Sequence, residues 1–78
     1  MNANYNKQNY ALGNGLFLSE RQVCVLEQLS HGLSNKEIAN ILQVSEPTIK
    51  MHISNLLRAL DAKNRIQILI KAKEKGFI

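Results

Sequence analysis

Residues 35–54 read NKEIANILQVSEPTIKMHIS, and this stretch decides the fold. Ile38, Ala39 and Leu42 recur at helical spacing, Val44 follows in a break, and Ile49 opens a second apolar stripe. The first helix starts after Ser34. Its hydroxyl stands three residues before Glu37, where a capping oxygen and a reaching carboxylate satisfy two orphan amides reciprocally. The second starts after Ser45, with Pro47 in a first turn that has no use for its missing N–H. Ala39 is small enough to let the two helices cross closely, so the spacing fits both a helix-turn-helix and a plain helical hairpin.

The same capping signal recurs on either side, at Ser19 with Gln22 and at Asn64 with Gln67. Helices are therefore expected over Glu20–Ser30, Asn35–Leu42, Glu46–Leu60 and Arg65–Lys75, with Gly32 and Gly76 ending the first and the last. No stretch alternates with a strand period, and the connections have the short lengths of packed helices. The fold class expected is all-α, a compact four-helix domain over 18–78 with its helix-turn-helix at about 35–54. Residues 1–17 hold five Asn, two Gly and one charge, Lys7, and read as a flexible tail or linker.

Seventy-eight residues leave room for one small core. The single cysteine, Cys24, has no partner for an internal disulfide, and no Cys/His cluster has metal-ligand spacing, so neither a staple nor a metal is expected. No signal peptide is apparent, and no run approaches the roughly 20 apolar residues of a membrane span. A soluble, cytoplasmic protein without membrane association is expected. Neither His31 nor His52 stands near a nucleophile or second base at a useful spacing, so no enzyme and no cofactor are expected.

The net charge of +4 lies entirely within 36–75. There Lys36, Lys50, Arg58, Lys63, Arg65, Lys71, Lys73 and Lys75 face only Glu37, Glu46, Asp61 and Glu74, which suits an anionic partner. At about 100° per residue, Ile49, Ile53, Leu56, Leu57 and Leu60 gather on one side of the third helix. Lys50, Ser54 and Arg58 form a ridge on the other, flanked by Asn55, with Met51 almost opposite Ile49. On such a face Met51 can touch a thymine methyl, Lys50 can donate to guanine O6 and N7, and Ser54 can bond either base type. His52 falls at the edge of the core stripe, where a packed, hydrogen-bonded role is expected.

The strings LSERQVCVL, GLSNKEIANIL and VSEPTIKMHISNLLRALDAKNR, within Leu18 to Ala72, resemble the DNA-binding domain of LuxR/FixJ-type transcription regulators, the four-helix module also found alone in the spore regulator GerE. The resemblance implies base reading by Lys50, Met51 and Ser54, and phosphate contacts from Lys36, Ser45 and Thr48. Asn55 and Arg58 extend along that face, and Asn64 and Arg65 open the next helix, so all four are further candidates for the DNA backbone. The chain departs from the pattern at Gln43 and Asp61, where glycine is usual, at Ala59, usually basic, and at Gln22, usually Glu.

On the last helix, Ile66, Leu69 and Ile70 are expected inside, which argues against a helix lying on a membrane surface. Ile68 and Ala72 are then left outside, and regulators of the resembling kind pair through this helix, so a homodimer on DNA through these two residues is expected. Val23 and Cys24 are expected to point away from the stripe of Val25, Leu26 and Leu29, toward the tail or a partner. The function expected is a transcription regulator that binds double-stranded DNA with 46–60 as recognition helix, either free-standing or as the effector domain of a response regulator. A receiver or sensor domain and RNA polymerase are its further partners. The competing expectation is an interaction module that pairs with a larger related regulator.

Overall fold

The computed structural model describes residues 10–11 and 17–78. Two two-residue strands, β1 (Tyr10–Ala11) and β2 (Phe17–Leu18), precede four helices: α1 (Glu20–Ser30), α2 (Asn35–Leu42), α3 (Glu46–Ala59) and α4 (Arg65–Glu74). The strands pair antiparallel, Tyr10 with Leu18 and Ala11 with Phe17. No strand was expected, because two residues are too few to show a period; the rest of the expected tail lies outside the described residues.

Local chemistry sets the helix starts. Ser19 Oγ accepts the Gln22 N–H at 3.1 Å while Gln22 Oε1 accepts the Ser19 N–H at 2.8 Å, and Ser34 with Glu37 repeats both bonds at the same distances. Asn64 Oδ1 caps α4 through the Gln67 N–H, but Gln67 Oε1 reaches one residue further back, to the Lys63 N–H. The helix ends are equally local. In α2, α3 and α4 the chain enters the left-handed region at Gln43, Asp61 and Gly76, and the next amide turns back to a carbonyl five residues earlier. Those next residues, Val44, Ala62 and Phe77, pack on the core, so each helix ends by folding its exit inward.

The core is apolar throughout: Leu18, Val25, Leu26, Leu29, Ile38, Ala39, Ile49, Leu56, Leu60, Ile68 and Ala72, with no buried polar residue among the described ones. Val23 also packs against it, contrary to the expectation that it faces away, whereas Cys24 is half-buried. The face of α4 is the larger correction. Ile68 and Ala72 are fully buried, and Ile66 and Ile70 are 70% and 52% exposed, the reverse of the expectation.

Two apolar stripes compete on this short helix, one through Ile66, Leu69 and Ile70 and the other through Ile68, Leu69 and Ala72. Polar ties select the second. The Arg65 guanidinium donates to the Leu33 carbonyl and to Asn35 Oδ1, and Lys71 Nζ donates to the Asp61 carbonyl. Arg65 and Lys71 flank the line of Ile68 and Ala72, so engaging both turns that line inward. Ile68 and Ala72 are therefore core residues, unavailable to a partner.

His52, half-buried on α3, has its Nδ1 buried with no hydrogen-bond partner, where a bonded one was expected. Burial first, and the positive charge of Arg21 second, hold its imidazole below the ordinary value.

Three outcomes follow. Gln43, at φ 59°, carries a side chain in the left-handed region, so Gln43→Gly should raise stability by about 1 kcal/mol in urea denaturation. Ile68→Ala should cost about 3 kcal/mol and Ile66→Ala no more than about 0.5 kcal/mol, an order that would invert if Ile68 were outside. Below an imidazole value of about 6.5 the unfolded chain takes up the His52 proton before the folded one does. Stability present at higher pH is thus lost as pH falls through that region, and His52→Gln should flatten that limb of the stability curve.

Candidate nucleic-acid interface

The candidate surface is the side of α3 turned away from the core. Ile49, Leu56 and Leu60 bury one side completely, and Ile53 and Leu57 pack at its margins. That fixes the roll of the helix, and Lys50, Met51, Ser54 and Arg58 are consequently exposed. Met51 is 53% exposed, an apolar group held in water by the burial of the residues opposite. Asn55 is half-buried beside Arg58, whose Nη2 donates to Asn55 Oδ1 at 2.5 Å.

At the start of α3, Ser45 Oγ accepts the Thr48 N–H at 3.3 Å and lies 2.9 Å from Thr48 Oγ1, so the two hydroxyls form a single polar cluster at the amide-rich end of the helix. Lys36 is exposed in the first turn of α2, next to the Ser34–Glu37 cap. The Ser34 amide, and then its hydroxyl, hold the Glu37 carboxyl below the usual carboxylate range. Glu37 thus keeps its charge on the cap.

The structure brings Lys50, Met51, Ser54, Asn55 and Arg58 together on α3 and places Ser45 and Thr48 at its start. Asn64 is exposed but its oxygen caps α4, leaving only the amide nitrogen to donate outward. Arg65 does not join the exposed surface: it is half-buried and engaged with Leu33 and Asn35. No local pattern could have shown this, since Arg65 and Leu33 are 32 residues apart. Among the described residues no three His, Cys, Asp or Glu side chains gather as metal ligands, and no helix is long and apolar enough to cross a membrane. What remains is an exposed surface on which Lys36, Lys50 and Arg58 supply positive charge and hydrogen-bond donors and Met51 an exposed thioether.

Comparison with known proteins matches this architecture. Residues 16–72 fit the family model described as bacterial regulatory proteins, luxR family. The chain is 51% identical over 53 residues to the nitrate/nitrite response regulator protein NarP of Escherichia coli, covering 68% of this chain and 25% of the relative. It is 42% identical over 60 residues to the glycerol metabolism activator of Pseudomonas putida, covering 77% and 27%. Among solved structures, the Vibrio cholerae VqmA dimer, a LuxR-type receptor, superposes with a TM-score of 0.78 at 26% identity, covering 82% of this chain and 29% of that one. The response regulator ChrA of a heme-sensing two-component system superposes at 0.74 with 30% identity, covering 92% and 33%. The chain thus spans between a quarter and a third of the length of these proteins. The family match covers the helix-turn-helix, all of α1 to α3 and α4 as far as Ala72, and the chain belongs to the luxR family of bacterial regulatory proteins.

Proposed function

We propose that this chain is the sequence-specific, double-stranded-DNA-binding unit of a cytoplasmic transcription regulator, with α3 entering the major groove. The observation that carries the reading is the outward side of α3, where Lys50, Met51, Ser54 and Arg58 are exposed together, Glu46 in the first turn being the one carboxylate of the helix. Lys50, Met51 and Ser54 contact base edges; Lys36, Ser45, Thr48, Asn55, Arg58 and Asn64 contact the backbone. The chain works on its own or as the output domain of a longer regulator whose receiver or sensor domain takes the signal, and RNA polymerase is a further partner. NarP and ChrA, both response regulators, support the second arrangement.

The unit binds DNA as a homodimer. Ile66 and Ile70, one turn apart and both exposed, give α4 a small apolar strip suited to a two-fold contact, which would match two half-sites. So small a strip pairs weakly in free solution and is reinforced when both copies hold one duplex. The same strip favours the second reading, an interaction module that pairs with a larger relative; a mobility shift of the chain alone that shows no sequence preference would select it.

Fluorescence anisotropy on preferred and random duplexes tests the assignments. Lys50→Ala should cost about 1–3 kcal/mol on the preferred site and relax the preference there, whereas Lys36→Ala should weaken all sequences alike and lower the salt slope by about one. Equal losses on both duplexes for both variants would contradict the division between base and backbone contacts.

A further inference from the structure

The apolar strip of α4 carries an opposite charge at each end. Ile66 and Ile70 are exposed one turn apart, and beyond them Lys63, just before the Asn64 cap, and Glu74, the last residue of the helix, are exposed as well. The two charges share a flank. The Lys63 N–H donates to Gln67 Oε1 at 2.9 Å, which holds Lys63 over Gln67, and Glu74 stands seven residues past Gln67, close to two full turns. Glu74 is not drawn aside along its own helix. Its sequence neighbours Lys73 and Lys75 do not face it, and Lys71, three residues back, directs its Nζ at the Asp61 carbonyl.

Such a strip is complementary to itself in one orientation only. Two copies laid parallel set Lys63 against Lys63 and Glu74 against Glu74. Laid antiparallel about a two-fold axis at the level of Ile68, they bring Lys63, five positions before it, to the Glu74 of the second copy, six positions after it, and the symmetry repeats the pair at the other end. A two-fold axis perpendicular to both helices also sets each flank against the same flank of the other copy. The shared flank of Lys63 and Glu74 is what allows them to meet.

We propose that Lys63 and Glu74 pair between two copies of this chain, fixing α4 antiparallel to α4 and rejecting chains whose charges stand in another order at these positions. An ion pair this exposed adds little affinity, so its effect lies in orientation and choice of partner. The inference deepens the homodimer proposed above and rests on it.

Sedimentation equilibrium of the full chain at millimolar concentration and low salt tests it. Lys63→Glu and Glu74→Lys should each weaken self-association roughly fivefold, because each variant sets like charges together at both ends of the pair. The double variant should recover the wild-type value to within about twofold, and the differences should vanish at high salt. A general charge effect is excluded by the same data: the first substitution lowers the net positive charge and the second raises it, so such an effect would move the two variants in opposite directions. Single variants that pair as well as wild type, or a double variant that does not recover, overturn the inference; if Ile66→Ser still abolishes pairing, the homodimer itself stands. A wild-type chain that stays monomeric throughout overturns the homodimer and this inference together, and leaves the assignment of α3 to the anisotropy measurements.

Discussion

One helix has to satisfy two solvents. α3 touches each of the other three helices, and Ile49, Leu56 and Leu60 must all be dry for those contacts to form. Because its fourteen residues cannot rotate without exposing that stripe, the opposite residues are fixed in water whatever their own preferences. Met51 is the clearest case. Its exposure costs hydrophobic burial that a rolled helix would recover, and the loss is tolerated because rolling would expose three large aliphatic side chains instead. The candidate surface is therefore a by-product of core packing on the far side of the same helix.

The parts of this architecture that were legible in the sequence are those decided within a few residues. Ser19, Ser34 and Ser45 announced their helices because a cap needs only an oxygen and an amide three positions on, and the solvent-facing side of α3 was legible because its apolar stripe is long and unambiguous. The facing of α4 is not decided within a few residues. Its two stripes differ by little in apolar content, and the choice is made by Arg65 and Lys71 reaching carbonyls and an amide that are distant in the chain or across a turn. His52 shows the same limit: its place at the edge of the core was visible, but not that its Nδ1 would meet no donor or acceptor there.

Those long-range bonds also sort the positive charge. A count of basic residues treats Arg65 and Lys71 as equal to Lys50, yet the first two direct donors at the main-chain carbonyls of Leu33 and Asp61. The charge presented outward is consequently more concentrated on α3 and the start of α2 than the sequence alone suggests. Such concentration is what gives a small basic domain a preferred approach to a polyanion.

The turn between α2 and α3 joins the surface carrying Lys36 to the surface carrying Lys50, and its backbone passes through Gln43 at φ 59° and ψ 46°. A glycine there would move freely over a wide region of backbone angles, whereas a residue with a Cβ is confined to a small well. Gln43 thus makes the joint stiff. The two helices behave as one bracket with a set angle, and the distance between a contact made by α2 and one made by α3 is gauged by the protein before any ligand arrives.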